Sequence, residues 1–342
     1  MTINDFRKQF FALVEQSARI VITSHTSPDD DSIGSVLSLY ALLAKKYPQK
    51  QIRMMYSGAT LNRWKVFSMF EKIEWVDDIA NHIDHDDLVI ILDASRNYLC
   101  TTFPEKLSLV KMRIAIDHHR STADTFSLLL QDVHCTSNCE LLFHVFFEGE
   151  TIDRAVAEYL LAGITGDTGV LRYVPPEQSH VFTIVKELVE IVGMRIDEFR
   201  SRFTSIPMKI LPLLQELSKN ITFAAVEGWP PLQYSYLDRS VVSQGNYSDD
   251  DISAASHLHI SHYLPKVEGY TWGFVITPRT DNTCRISGRS LPESVNVRDM
   301  HERLGIGGGH DQASGGSFQE ADPNACIERV LEWMKNNTPL LG

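Results

Sequence analysis

The sequence predicts an α/β protein: an N-terminal parallel-sheet domain with helices on both faces, then a smaller mixed α/β domain, joined by a helical linker. Three observations carry this. Short β-branched runs alternate with longer helical patterns through the first half, which is how a parallel sheet with crossover helices is written. Residues 185–205 hold no strand signal, and strand-like runs restart beyond them. The length of 342 residues, at about 150 residues per domain, fits two domains.

In chain order, the first predicted strands are Arg19–Ser24, Gln51–Tyr56, Leu88–Asp93 and Met112–Asp117. Between the first two, Ile33, Val36, Leu37, Tyr40, Leu43 and Ala44 recur at helical spacing and make one apolar face that can pack on a sheet. Helical patterns follow over Cys139–Phe147, Asp153–Thr165 and Glu177–Val192. The second half offers strands at Ile221–Val226, Leu232–Leu237, Thr271–Thr277 and Cys284–Ser287, then helices near Val295–Leu304 and Asn324–Asn336. The predicted boundaries are 1–190 for the first domain, 191–217 for the linker and 218–342 for the second domain.

Composition narrows the function. With 44 acidic and 32 basic side chains the net charge is −12, which excludes a protein that coats nucleic acid through charge alone. At 43% hydrophobic and 22% charged the chain can bury substantial cores. The opening MTINDFRKQFFALVEQ carries Asp5 and Glu15 through an amphipathic stretch and does not read as a secretory signal. No run of about 18 uncharged apolar residues follows, so a cytoplasmic address without membrane association is expected. The five cysteines are odd in number and scattered, against a disulfide framework. Cys135 and Cys139, flanked by His134 and His144, match no common zinc spacing and read as buried or incidental.

The chemistry lies at the C-terminal ends of the predicted strands, the edge where open α/β sheets bind ligands. His25, Asp29 and Asp31 follow the first strand, Asp93 ends the third, Asp117-His118-His119 ends the fourth, and Asp167 closes the helical stretch beyond Ile164. Each alone has a plainer reading: a helix N-cap for Asp29 or Asp31, a turn residue for Asp93, a surface pair for His118 and His119. Together they would repel and desolvate one another unless cations neutralise them. Oxygen donors mixed with imidazoles suit manganese or magnesium, with the histidines favouring manganese. A pair of such ions activates water and stabilises the leaving oxygen in an in-line displacement at phosphorus, so phosphoester hydrolysis is expected.

At these residues the sequence resembles the DHH phosphoesterase family. HTSPDDDSIGS, ILDAS, AIDHHRS and GITGDTG occur in the family's order across about residues 20–170, and LGIGGGHDQASGGSF resembles the glycine-rich signature of the DHH-associated domain in the nanoRNase and pAp phosphatase branch. The resemblance implies one ion on His25, Asp29 and Asp93 and a second on Asp31, Asp93, His118 and Asp167, with Asp93 bridging. It implies that Asp117 supports an imidazole and that His119 meets the substrate phosphate or protonates its leaving oxygen. Asp30 departs from the family's usual glycine, and is expected to point outward from a turn.

Gly307, Gly308 and Gly309 followed by His310 read either as a flexible turn or as a phosphate-binding loop that aims amides at an anion. Ser314-Gly315-Gly316 nearby favours the second, and Arg289 matches the arginine that precedes this motif in the family, with Arg285 as a surface residue. His257, His259 and His262 do not share one helix face. Trp229, Tyr234, Tyr236 and Trp272 read as core rather than as base-stacking residues. The resemblance thus implies a metal-dependent hydrolase of the 3′-5′ exoribonuclease or nucleotide phosphatase type, in which the second domain clamps the substrate. Expected substrates are short oligoribonucleotides, cleaved to mononucleotides, and 3′-phosphoadenosine 5′-phosphate, cleaved to AMP. Alternatives are a phosphodiesterase of linear or cyclic dinucleotides, and a non-catalytic nucleotide sensor. A homodimer is left open.

Overall fold

A computed structural model describes all residues except Ala59, Leu61, Ser121 and Ser205. Ser121, which ends the AIDHHRS run, and Ser205, inside the predicted linker, therefore lie outside the described residues. The chain divides into Met1–Ser205 and Ile206–Gly342, a division inside the segment 191–217. Either side of it is drawn into a core: Phe199 and Phe203 pack in the first unit, Ile210, Leu213 and Leu217 in the second.

The first unit is built on six parallel strands, β1 (Arg19–Thr23), β2 (Gln51–Ser57), β3 (Ile73–Val76), β4 (Leu88–Leu92), β5 (Met112–Asp117) and β6 (Leu128–Gln131), in the order β3-β2-β1-β4-β5-β6. Central strand β4 is apolar throughout because both sheet faces are covered. In β4, Leu88, Ile90 and Leu92 enter the larger core, while Val89 and Ile91 face a smaller one with Cys100 and Leu107. The larger core receives α1 (Ile3–Gln16), α2 (Asp30–Lys46), α4 (Asn138–Leu142), α5 (Arg154–Asp167), α6 (Val181–Val192) and α7 (Ile196–Ser201); the smaller receives α3 (Pro104–Ser108). Adjacent β1 and β4 lead to connections that run opposite ways along the sheet, and this switch point opens a crevice at their C-terminal ends. His25 and Asp93 stand there.

Asp30 does not point outward. It is buried, accepts a hydrogen bond from Trp64 Nε1 at 2.8 Å, and pairs with Arg63 at 2.9 Å and Arg200 at 2.8 Å. The inward rotamer is accommodated because Gly166 lies opposite: a Cβ there would sit 2.6 Å from Asp30 Cβ. The acid thus ties the first turn of α2 to α7.

The second unit has a mixed sheet of β7 (Thr222–Ala224), β8 (Leu232–Tyr236), β9 (Trp272–Pro278), β10 (Cys284–Ser290), β11 (Gly307–His310) and β12 (Ala313–Phe318) in the order β11-β12-β10-β9-β8-β7, with β8 and β9 parallel. One face packs on α11 (Val297–Arg303) and α12 (Pro323–Lys335), the other on α8 (Leu211–Lys219), α9 (Arg239–Gln244) and α10 (Asp249–Tyr263). Trp229 and Trp272 are core, with indole N–H groups donated to backbone carbonyls, and Tyr234 stacks on Phe274 at 5.4 Å. Among the described residues, no helix is long and apolar enough to cross a membrane.

Replacing Asp30 by Asn should leave the Arg200 guanidinium short of charge compensation in a buried setting and destabilise the protein by about 3 kcal/mol. Burial opposes its ionisation, but Arg63 and Arg200 outweigh it and hold the Asp30 carboxyl below its ordinary 3.8. Its contribution is therefore complete above about pH 4 and fades as pH falls through the folded-state value. Urea unfolding followed against pH should show this acid-side slope in the wild type and a shallower one in Asp30→Asn.

Candidate active site

Four segments deliver the site. β1 hands the chain to His25 and then to Asp29, which caps α2 by accepting the Ser32 N–H at 2.9 Å. Asp31, in the first turn of α2 and fully buried, accepts the Asn138 N–H at 2.5 Å and the Cys139 N–H at 2.8 Å. Its carboxylate therefore sits on the N-terminal end of α4, where free amides favour negative charge. Asp93, immediately after β4, takes a left-handed conformation with φ 56° while its N–H still bonds to the Ile116 carbonyl at 2.9 Å. A non-glycine residue held there is strained, and the turn aims its carboxylate across the crevice.

Asp93 is the hub. His25 Nε2 lies 3.3 Å from its Oδ2, and His118 Nε2 lies 3.3 Å from its Oδ1. Around its Oδ2 side, His25, Asp29 and Asp93 offer donor atoms within 4.8 Å of one another; Asp31, His118 and Asp167 form a second such trio. His118 Nε2 stands 3.2 Å from Asp167 and 3.8 Å from Asp31. Asp93 Oδ1 and His118 Nε2 are both buried without a hydrogen bond. Two orphaned polar atoms facing each other among further carboxylates are an arrangement that bound cations would satisfy, so the donor set fits two hard or borderline divalent ions.

Electrostatics point the same way. Burial, then the charges of Asp93 and Asp167, push Asp31 well above the usual carboxylate range. Burial and Asp93 raise Asp29 to about 6. Asp93 goes the other way: burial opposes its ionisation, but the imidazoles of His118 and His25 beside it hold it far below the usual range. Burial would lower His25, yet Asp93 and Asp29 carry it up to about 9. One central anion is thus kept ionised while Asp29 and Asp31 are driven toward neutrality, the response of a cluster whose positive charge comes only from imidazoles.

Behind the hub, Asp117 ends β5. It accepts a hydrogen bond from Ser95 Oγ at 2.6 Å and another from the His119 N–H at 3.0 Å, and pairs with His119 Nδ1 at 2.8 Å. Gln131 Nε2 donates to the His119 carbonyl at 2.8 Å. Sequence reasoning gave Ser95 and Gln131 no role, nor the amides of Asn138 and Cys139. Ser95 closes ILDAS, so its signal was present in the motif; the amides carry none, since any residue could supply them.

The structure brings His25, Asp29, Asp31, Asp93, Asp117, His118, His119 and Asp167 together. It treats the glycine motif differently: Gly307, Gly308, Gly309 and His310 are strand β11, paired antiparallel with β12, not a loop. The glycines answer to backbone proximity. A Cβ at Gly307 would meet the Gly315 carbonyl oxygen at 2.0 Å, and Gly309 has φ 148°. The pairing aligns Arg289 with Ala313 and Ala313 with His310, so Arg289 and His310 share one sheet face two strands apart. Arg285 is exposed, as expected. Of the three α10 histidines, His259 is buried, and burial lowers it to about 4; His257 and His262 are exposed.

A parallel sheet in this order, with carboxylates and imidazoles gathered at its switch point, defines the first unit as an α/β domain carrying a cluster of side chains able to bind metal. Residues 19–164 match the DHH family, N-terminal domain. The bifunctional oligoribonuclease and PAP phosphatase NrnA of Bacillus subtilis is 28% identical over 320 residues, 92% of this chain and 93% of that protein. The cyclic-di-AMP phosphodiesterase PdeA of Listeria monocytogenes is 24% identical over 314 residues, 87% of this chain but 44% of that protein. The crystal structure of an exopolyphosphatase-related protein from Bacteroides fragilis superposes with a TM-score of 0.80 at 21% identity, covering 97% of each chain; it shares the fold.

If the crevice holds divalent ions, manganese at 100 times its dissociation constant should stabilise the wild type by about 2.7 kcal/mol. Thermal unfolding should show this as a rise in midpoint, and Asp93→Asn should lose most of it.

Proposed function

We propose that this chain hydrolyses phosphoesters of small nucleotides, cleaving RNA oligomers a few residues long to mononucleotides, 3′-phosphoadenosine 5′-phosphate to AMP, or both. The observation that carries the reading is the Asp93 carboxylate, one oxygen 3.3 Å from His25 Nε2 and the other 3.3 Å from His118 Nε2. His25, Asp29 and Asp93 would hold one ion, and Asp31, Asp93, His118 and Asp167 the other. Two divalent ions supply charge neutralisation at the phosphoryl oxygens and a nucleophile competent at neutral pH. Imidazole donors among the carboxylates favour manganese over magnesium.

The protein's own groups do the rest. Asp117, fixed by Ser95, holds His119 through Nδ1, and His119 would meet the substrate phosphate or pass a proton to the leaving oxygen. Asp31 stays oriented by the amides of α4. In the second unit, the Arg289 guanidinium, with His310 on the same sheet face, has the planar geometry for two-point contact with a phosphate. Similarity to NrnA over nearly the full length of both chains supports the substrate class.

A second reading, hydrolysis of linear or cyclic dinucleotides, is favoured by the similarity to PdeA. One panel separates the two: manganese-loaded protein is given a 5′-phosphorylated diribonucleotide, 3′-phosphoadenosine 5′-phosphate, cyclic di-AMP and pyrophosphate. Turnover of the first two should dominate and fall on the order of 10³-fold in Asp93→Ala. Wild-type turnover in that variant would contradict the metal-centred reading, and dominant cleavage of cyclic di-AMP would favour the second.

A further inference from the structure

We propose that Cys135, Glu140, His144 and His180 form a cation site of the zinc class in the first unit, sharing no ligand with the Asp93 cluster. Cys135 and Glu140 are buried, and their sulfur and carboxylate oxygen lie with a His144 ring nitrogen within 4.8 Å of one another. His180, just before α6, brings Nε2 to 2.7 Å from Glu140 Oε1, while His144 Nε2 stands 3.8 Å from the same oxygen.

Two of the donors are oriented by other partners. Glu140 Oε2 accepts the Thr136 N–H at 2.5 Å and the Thr136 hydroxyl at 2.6 Å, whereas the buried Oε1 has no hydrogen bond. His144 Nδ1 is 3.1 Å from Glu148 Oε2; donating there, the ring turns the lone pair of Nε2 toward Glu140. A carboxylate that fixes the tautomer of an imidazole in this way is the usual support of a metal-binding histidine. The turn carrying His144, Phe143–Phe147, is π-helical, a local widening that recurs at functional sites.

One thiolate, two imidazoles and one carboxylate suit zinc and exclude magnesium and calcium. Tetrahedral bonds of about 2.0–2.3 Å set donors roughly 3.3–3.7 Å apart. The 3.8 Å contact needs almost no movement, and the 2.7 Å contact needs His180, whose side chain is 45% exposed, to swing outward slightly. Without a cation, burial and Glu140 keep the Cys135 sulfur as a thiol; binding transfers that proton to solvent. The site revises the incidental reading of Cys135 and His144. It leaves Cys139 out, its thiol lying 3.6 Å from the Asp31 carbonyl, and His134 exposed. Asn138 and Cys139, which hold Asp31, adjoin Glu140 on α4, so an ion here would fix the end of the helix on which Asp31 rests.

The test uses full-length, metal-stripped protein titrated with Co²⁺ and, separately, with Zn²⁺. Wild type and Asp93→Ala should both show thiolate-to-cobalt charge-transfer absorption, and Cys135→Ser should lose it along with one equivalent of bound zinc. His180→Ala, altered at a partly exposed position, should bind zinc about tenfold more weakly in competition with a chelator. Absence of the charge-transfer band in the wild type, its survival in Cys135→Ser, or unchanged zinc affinity in His180→Ala would overturn the proposal.

Discussion

Mutual repulsion among converging carboxylates is the constraint around which the first unit is arranged. Asp31 and Asp93 are buried and meet the more exposed Asp29 and Asp167 in one crevice, and the energy of that convergence must be offset. Imidazoles offset part of it: Asp93 stays ionised between His25 and His118. Asp31 is pushed toward neutrality even though two backbone amides face it. A cluster that its own side chains leave incompletely compensated, with orphaned atoms at its centre, is tuned for positive charge from outside.

The surroundings hold these groups in place. The left-handed turn at Asp93 is locked by a ladder hydrogen bond to Ile116. Ser95, in the turn after β4, and Gln131 of β6 brace the Asp117–His119 pair. Asp30, which resembles another site acid in sequence, is a strut bound by Arg63, Arg200 and Trp64. Two adjacent acids in the first turn of one helix thus serve different ends: Asp31 faces the crevice and Asp30 faces α7.

Much of this was legible in the sequence for a physical reason. Strands buried on both faces must be continuous apolar runs, so β1, β4 and β5 declared themselves, and the polar residues ending them marked the ligand-binding edge. The edge strands β3 and β6, four residues each with a single buried position, carried no such signal. Asp30 was misread because its partners are remote, Trp64 by 34 positions and Arg200 by 170. The glycine run was misread because glycine reports only that the backbone is crowded or unusual; here the crowding comes from β12. Glu140 and His180 approach each other only after β6, α4 and α6 have packed.

The most direct measurement is anomalous diffraction from crystals of the manganese-loaded protein. Two manganese peaks flanking the Asp93 carboxylate, one beside His25 and one beside His118, are the predicted result. A single peak, or an Asp93 that contacts neither ion, would contradict the account.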